Sequence, residues 1–229
     1  MEYQLRDYQQ ECVNVLDTKG AEGNHVVAVA TGLGKSVIFS RIKRRGRTLI
    51  LSHRDELVRQ PEKYYQGVCS FGIEKADEHS NGEDVVSASV QTLSRDNRLQ
   101  EYSPDDFHTI IIDECHHAAS PSYRKVVDYF SGAKQVLGFT ATPKRGDGVR
   151  LTDVFDDIIF ARDLKWGIQH KWLSSIRTIR ITASLKLGNV GRWQGTLTRV
   201  HWMKQSTSKT MPKRPKSMSR NATKRAGIP

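Results

Sequence analysis

Short apolar runs of strand length alternate with longer polar segments of helix length over residues 7–140. Three of these runs are apolar at almost every position, which is typical of strands covered on both faces of a sheet. Strands that alternate with helices favour parallel pairing. The connection between two parallel strands must return the chain to the starting end of the sheet, and a helix usually provides it. The sequence therefore predicts an α/β fold, a parallel β-sheet flanked by helices. The predicted strands cover residues 25–30, 48–52, 84–90, 109–113 and 135–140, and the predicted helices cover residues 7–19, 35–45, 55–66 and 122–130.

Several local signals refine this pattern. Pro61 lies inside the third predicted helix and should kink or shorten it. A glycine-rich turn at 144–148 follows the last of these strands, and beyond it we predict a helix over 164–173 and a strand over 176–181. No helical or strand period is sustained over 196–229, so this segment is predicted to be disordered.

Charge is distributed unevenly along the chain. Residues 1–160 contain 20 Lys and Arg against 24 Asp and Glu, whereas residues 161–229 contain 16 Lys and Arg against a single acid, Asp163. A basic tail of this kind can bind phosphates without sequence preference, and Trp193 and Trp202 could stack on bases. A truncated gene or a shifted reading frame would give the same composition. A natural basic tail and a truncated or frameshifted gene both stay open as explanations, and we favour the truncated or frameshifted gene.

The composition excludes several classes of protein. With 37% hydrophobic and 27% charged residues, the chain is typical of a soluble globular protein. Its longest apolar stretches, 26–30 and 49–51, are far shorter than the ~20 residues of a membrane helix, and the N-terminus shows no secretory signal. Cys12, Cys69 and Cys115 fit neither a disulfide framework nor a zinc spacing. We therefore expect a cytoplasmic or nucleoid-associated protein with no membrane partner.

A glycine-rich loop, Thr31-Gly32-Leu33-Gly34-Lys35-Ser36, follows the first predicted strand and opens a helix. Glycines let the backbone wrap closely around phosphate, and the helix N-terminus adds positive partial charge. Lys35 would reach the β- and γ-phosphates, and the Ser36 hydroxyl would ligate Mg²⁺. The complete phosphate-loop pattern has a glycine where Val29 stands, so the match is incomplete. The strand before the loop and the helix after it nevertheless favour a phosphate-binding site.

Two adjacent carboxylates, Asp113 and Glu114, end the predicted strand over 109–113. In a parallel sheet the carboxyl ends of the strands face the ligand crevice, so Asp113 is expected near the Mg²⁺ held by Ser36. Glu114 is placed to orient or deprotonate an attacking water. The Cys-His-His run that follows does not predict zinc, because three adjacent residues cannot converge on one tetrahedral ion. We therefore predict phosphoryl-transfer chemistry, with Glu114, Lys35 and Asp113 as the catalytic residues.

These motifs, in this order, resemble those of the superfamily 2 helicases and translocases, in particular the DExH-type members, over residues 3–182. The loop at 31–36 is similar to motif I, and Asp113-Glu114-Cys115-His116 is similar to motif II in its DECH form. Leu5-Arg6-Asp7-Tyr8-Gln9 looks like the segment that reads the adenine of ATP. The resemblance implies that Gln9 reads the base and that Arg6 lies nearby.

Three further segments are similar to motifs that contact nucleic acid, or couple its movement to the nucleotide site, in this family. Residues 51–58 resemble motif Ia and residues 90–93 resemble motif Ib, both of which touch the nucleic-acid backbone. Residues 140–143 resemble motif III, which links the nucleotide site to strand movement. The resemblance thus implies nucleic-acid contacts at Arg54, Gln91 and Thr92, and coupling through His116, Thr140 and Thr142.

The resemblance also implies a domain organisation. Residues 1–160 would form a RecA-like P-loop NTPase lobe, residues 161–182 a linker helix and strand toward a second lobe, and residues 183–229 a basic, disordered tail. In the family, ATP sits between two such lobes, and arginines of the second lobe complete the site. The 48 residues after residue 181 cannot form a lobe that takes ~100 residues or more. The chain is therefore expected to be incomplete as a motor, with a second RecA-like lobe in trans as one way to complete it.

The function that follows is the ATP-binding lobe of a helicase or translocase, with ATP and Mg²⁺ as cofactors. It would couple ATP binding and hydrolysis to the binding or unwinding of nucleic acid, with DNA favoured over RNA. The alternative is a non-motor module that holds nucleic acid with the lobe and the basic tail. A metabolic phosphate-loop kinase is disfavoured, because no lid for an acceptor substrate is recognisable.

Overall fold

The computed structural model describes residues 4–142 and 154–178, together with the backbone of short strands at 192–193 and 196–197. The chain divides into two compact units, Met1–Ile176 and Arg177–Pro229. The first unit is built on a seven-stranded sheet whose neighbouring strands all pair in parallel. The predicted α/β class is therefore confirmed.

Helices lie between most consecutive strands of this sheet, the usual connection between parallel strands. The strands are β1 (Gly23–Val29), β2 (Thr48–Ser52), β3 (Phe71–Glu74), β4 (Val85–Ser89), β5 (Thr109–Asp113), β6 (Gln135–Thr140) and β7 (Asp157–Arg162), in the spatial order β3-β4-β2-β5-β6-β1-β7. The helices are α1 (Asp7–Thr18), α2 (Lys35–Ser40), α3 (Asp55–Arg59), α4 (Glu62–Tyr65), α5 (Val90–Leu93), α6 (Asp96–Leu99), α7 (Pro121–Tyr129) and α8 (Leu164–Gln169), with a 3₁₀ turn at Cys115–His117.

The sheet core is covered on both faces. Ile110 and Ile112 of β5 pack in one apolar cluster with Tyr123 of α7, whereas Ile111 packs in a second cluster with Leu16 of α1. Successive residues of a strand point to opposite faces, so an apolar run can serve both clusters at once. Burying each such side chain stabilises the fold by roughly 1.5–3 kcal/mol.

All five predicted strands are confirmed, three of them with unchanged bounds. Two of the helices predicted before residue 70 differ clearly from expectation. α2 ends at Ser40 rather than at residue 45, where five basic residues crowd into 41–47 and like charges disfavour a further turn. The helix predicted over 55–66 is split by Pro61 into α3 and α4, as the ring of an internal proline requires.

The C-terminal predictions are met in part. α8 ends at Gln169, before the predicted end at residue 173. In the strand predicted over 176–181, residues 176–178 have no regular structure, and the remaining residues lie outside the described part of the chain.

The second unit contains one described element, an antiparallel pair of β8 (Arg192–Trp193) and β9 (Thr196–Leu197). The glycine-rich turn at 144–148 and the rest of the tail over 183–229 lie outside the described residues, so the disorder expected for the tail stays a prediction. Within the part of the chain that is described, no helix has the length and apolarity needed to cross a bilayer.

Candidate nucleotide site and nucleic-acid surface

Five of the predicted motifs follow five neighbouring strands of the sheet. Gln91 follows β4, Arg54 follows β2, Glu114 follows β5, Thr142 follows β6 and Lys35 follows β1. Because these strands are parallel, their carboxyl ends all meet at one edge of the sheet. Segments spread over residues 31–142 thus come together at a single edge.

The glycine-rich loop is shaped by left-handed backbone at two glycines. Gly32 has φ +90° and Gly34 has φ +83°, a region that residues with a Cβ rarely adopt. A Cβ on Gly34 would lie 2.6 Å from Nε2 of Gln9. From the α1 side, the Tyr8 hydroxyl donates to the Leu33 carbonyl at 2.8 Å. The loop is therefore held from α1, and Lys35 begins α2 directly after it.

Lys35 and Glu114 meet, although 79 residues separate them in sequence. The Lys35 amine donates to Oε1 of Glu114 at 2.9 Å, and the lysine side chain is only 11% exposed. The structure thus joins the predicted phosphate-binding lysine to the predicted hydrolytic carboxylate.

The two carboxylates of the DECH segment have different environments. Asp113 is buried, and this burial raises the pKa of its carboxyl above the ordinary value, an effect that the nearby Lys35 ammonium partly offsets. Glu114 is less buried and has a left-handed backbone with φ 52° and ψ 52°, which costs of order 1–3 kcal/mol for a residue with a Cβ. Its backbone N–H donates to Oδ1 of Asp113 at 3.0 Å. Such strain is typical of functional positions.

The oxygen donors at this edge are typical of a Mg²⁺ site that shares its ion with substrate phosphates. They are not typical of a metal site made of protein ligands alone. Among the described residues, no three His, Cys, Asp or Glu side chains are grouped to hold an ion. Mg²⁺ usually takes one or two carboxylates and completes its shell with substrate phosphates and water. A buried Asp113 carboxylate and the Ser36 hydroxyl beside the loop match that mode of binding.

The segment similar to motif III contacts the DECH segment, as the predicted coupling requires. Oγ1 of Thr140 lies 3.4 Å from Nδ1 of His116 and accepts from the Thr142 N–H at 3.1 Å. Thr140 is completely buried. Pro143, the last residue of the segment, lies outside the described residues. The three predicted coupling residues are therefore in contact, and their role in coupling stays a prediction.

Gln9 braces the glycine-rich loop, a role that the sequence did not indicate. Its Oε1 accepts from the Arg6 N–H at 3.0 Å, and its Nε2 donates to the Leu33 carbonyl at 3.1 Å. The Arg6 guanidinium lies over the Trp172 ring, 5.0 Å from its centroid. The reading of adenine by Gln9 stays a prediction.

Sequence reasoning missed the aromatic residues that follow β7. The rings of Trp166 and Trp172 lie 5.3 and 5.5 Å from the Tyr8 ring, and Leu173 packs next to Gly32. A cavity of about 350 Å³ is lined by Asp7, Tyr8, Glu11, Trp166, His170 and Trp172. Two tryptophans six residues apart do not share a helical face, and Trp172 lies beyond the end of α8, so the predicted helix gave no signal for this cluster.

The predicted nucleic-acid contacts differ in exposure. Arg54 is exposed at the start of α3. Gln91 is exposed too, and its Nε2 donates to the His53 carbonyl at 2.8 Å. Thr92 is buried, and its hydroxyl accepts from the Ala76 N–H at 3.1 Å, so it holds the turn after β3. Its role as a nucleic-acid contact stays a prediction.

A second cavity of about 510 Å³ lies beside these residues. It is lined by His53, Asp55, Lys75, Ala76, Asp77, Ser89, Gln91, Thr92 and Arg95. Sequence reasoning did not identify Lys75 or Arg95, because isolated basic residues in turns carry no signal of their own.

Comparison with known proteins agrees with this architecture. Residues 2–145 match the family described as type III restriction enzyme, res subunit. IRC3 of Saccharomyces cerevisiae is 35% identical over 207 residues, which cover 79% of this chain and 30% of IRC3. The DNA 3'-5' helicase XPB of Mycobacterium tuberculosis is 31% identical over 164 residues, which cover 67% of this chain and 29% of XPB.

Solved structures show the same fold. The helicase domain of Pyrococcus furiosus Hef superposes with a TM-score of 0.60 at 23% identity, over 76% of this chain and 41% of that one. The chain spans about a third of the length of the IRC3 relatives, 30% and 33%. From the matched residues and the sheet, the chain belongs to the type III restriction enzyme res subunit family and forms the N-terminal RecA-like ATP-binding lobe of a superfamily 2 helicase.

Proposed function

We propose that this lobe binds Mg-ATP at the carboxyl edge of its sheet and couples ATP binding and hydrolysis to the binding or unwinding of nucleic acid. The 2.9 Å contact between Lys35 and Glu114 is the observation that carries this proposal. A lysine and a carboxylate from two distant motifs meet beside a loop whose glycines have left-handed backbone, the conformation that lets successive N–H groups form an anion-binding concavity.

Each residue of the site has a proposed task. The backbone N–H groups of 31–36 and the Lys35 amine would hold the phosphates, and Ser36 and Asp113 would hold Mg²⁺. The ion, when bound, neutralises charge on the phosphate oxygens. As nucleotide binds, the Lys35 amine exchanges the Glu114 carboxylate for phosphate oxygens. The freed Glu114 carboxylate then orients the attacking water and accepts its proton.

We further propose that this chain is incomplete as a motor on its own. Arginines supplied by a second lobe are worth ~10³–10⁵ in rate in phosphoryl-transfer enzymes. Hydrolysis by this chain alone should therefore be very slow, and a second RecA-like lobe in trans would raise it. Nucleic-acid-stimulated turnover well above background by the isolated chain would refute this part of the proposal.

DNA is the nucleic acid that we favour as partner. One relative is named a DNA 3'-5' helicase, and a structure with the same fold, LlaGI, was solved with a DNA substrate mimic. The exposed Arg54 and Gln91 would contact the strand along the edge of the sheet. The cytoplasm or the nucleoid remains the proposed location.

Two substitutions test the site. Lys35→Ala should lower the affinity for a fluorescent ATP analogue by at least about tenfold, because it removes the charge that holds the phosphates. Glu114→Gln should keep nucleotide affinity and abolish any hydrolysis. Lys125→Ala, at a surface ion pair with Asp96, is the matched control and should bind as the wild type does. Normal nucleotide binding by Lys35→Ala would overturn the site assignment.

The strongly basic C-terminal end favours a second candidate, a non-motor module that holds nucleic acid. Residues 161–229 contain 16 basic residues against one acid. Fluorescence anisotropy with labelled DNA would be compared for the full chain and for residues 1–182, each with and without ATP. Binding that needs the tail and ignores ATP would favour the module over the motor lobe.

A further inference from the structure

Three histidine rings form a row of contacts, the histidine stack, between the ends of β5 and β2. The rings of His116 and His117 are tilted by 45° with centroids 4.2 Å apart, and those of His117 and His53 are stacked, with centroids 4.9 Å apart and an interplanar angle of 28°. His116 and His117 belong to the turn after β5, whereas His53 follows β2. The stack therefore joins two motifs that are about 60 residues apart in sequence but follow neighbouring strands.

Each end of this stack contacts a residue of the proposed site. At one end, Nδ1 of His116 lies 3.3 Å from Oε2 of Glu114. At the other end, Nε2 of Gln91 lies 3.0 Å from Nδ1 of His53 and donates to the His53 carbonyl at 2.8 Å. Contacts thus run without a gap from the hydrolytic carboxylate to the exposed amide proposed to meet nucleic acid.

We propose that His53 and His117 are positioning residues that couple the nucleotide site to the nucleic-acid contact at Gln91. This inference rests on the proposed function and adds a route that none of the separate motifs specifies. Both rings would act through Glu114 and Gln91, the two residues at the ends of the row.

The contact between Lys35 and Glu114 would switch between two states, one with the Lys35 amine on Glu114 and one with this amine on the phosphates. Oε1 of Glu114 contacts the Lys35 amine, and Oε2 of Glu114 contacts His116. When Lys35 turns to the phosphates, Glu114 loses one of these two partners, and the ring stacked beyond His116 shifts with it. Because Gln91 contacts both the ring and the carbonyl of His53, this shift reorients its amide. The same contacts operate in reverse, as linkage between two binding sites requires.

The coupling is measured as a ratio of two affinities. The dissociation constant of mant-labelled AMP-PNP with Mg²⁺ is determined with and without a saturating 30-base-pair DNA duplex, on the full chain. For the wild type we expect a ratio of about 5 or more, the usual lower range for coupled sites. His117→Ala should bring the ratio to within about twofold of one, and His117→Phe, which keeps a stacking ring, should retain most of it.

A matched control and a second variant keep the test decisive. His108 is a half-buried histidine at the opposite end of β5, and His108→Ala should leave the ratio unchanged. If His117→Ala fails to fold, His117→Leu replaces it, since leucine fills the space without a planar ring, and the same loss is expected. A stack that only packs would lower stability without changing the ratio.

The outcomes separate this inference from the proposed function. A wild-type ratio in His117→Ala or His117→Leu overturns the role of the stack. A ratio of one in the wild type, with both ligands bound, also overturns it but leaves nucleotide and DNA binding intact. A wild type that binds no nucleotide overturns the proposed function itself.

Discussion

Removal of Arg98 should destabilise this protein strongly, because it would leave the fully buried Glu74 carboxylate without its charged partner. The Arg98 side chain is 7% exposed and the Glu74 side chain 0%. Oε1 of Glu74 accepts from Nε of Arg98 at 2.6 Å, and Oε2 accepts from the Tyr102 hydroxyl at 2.8 Å. Arg98 also donates to the carbonyls of Ala76 and Glu78, in the turn after β3.

The magnitude follows from these contacts. Breaking a buried ion pair by removing one partner costs about 3–5 kcal/mol, because a charge is left uncompensated. We expect Arg98→Ala to lower the free energy of unfolding by about 4 kcal/mol. The double substitution Glu74→Met with Arg98→Met should cost less than Arg98→Ala alone, since it removes both charges and keeps the volume. Arg98→Ala would also remove the hydrogen bonds that hold the turn after β3, next to the cavity lined by Gln91.

Urea unfolding followed by circular dichroism measures these differences. Arg59 offers a matched control, because it pairs with Glu78 of the same turn but the two side chains are 54% and 44% exposed. Arg59→Ala should cost less than about 1 kcal/mol. The reasoning is refuted if Arg98→Ala costs no more than Arg59→Ala, or if the double substitution is as damaging as Arg98→Ala.

Three further predictions concern single positions. Gly34→Ala should lower nucleotide affinity at least about tenfold, because the backbone is left-handed and the new Cβ meets Gln9. Gly67 is the matched control, since it has φ +73° and open space around it. Gly67→Ala should bind nucleotide normally and lose only about 1 kcal/mol of stability. Gly138→Ala should lower the melting temperature, at a cost of about 1–3 kcal/mol, because its Cβ would lie 2.5 Å from the Phe155 ring. Burial raises the pKa of Asp113, so the folded protein holds this proton more tightly than the unfolded chain and loses stability as the carboxyl ionises. Urea unfolding should therefore show Asp113→Asn more stable than the wild type at pH 7, with the gain shrinking as pH falls through the raised pKa.

Motif order predicted most of the candidate site, because each motif is a local signal. The glycines and Lys35 needed only the strand before them and the helix after them to be recognised. Strands β2, β5 and β6 were predicted with their observed bounds, since buried strands read as unbroken apolar runs.

Two strands of the seven-stranded sheet were not predicted, β3 and β7, and they are its two outermost strands. β3 has four residues of alternating burial and includes Gly72, so it shows little apolar signal. β7 begins at the charged Asp157 and is mostly exposed or half-buried. An edge strand forms because its neighbour offers unpaired backbone groups, and composition alone does not reveal that partner.

The sequence by itself determined the fold class, the central strands and the candidate residues for phosphate binding and hydrolysis, because periodicity and motif chemistry are local. The tertiary structure alone decided which of those residues touch. The Lys35–Glu114 contact and the stack of His117 on His53 exist because β5 lies next to β2 and one strand away from β1. That order results from packing the whole sheet between its two apolar clusters, a long-range outcome that no single segment encodes.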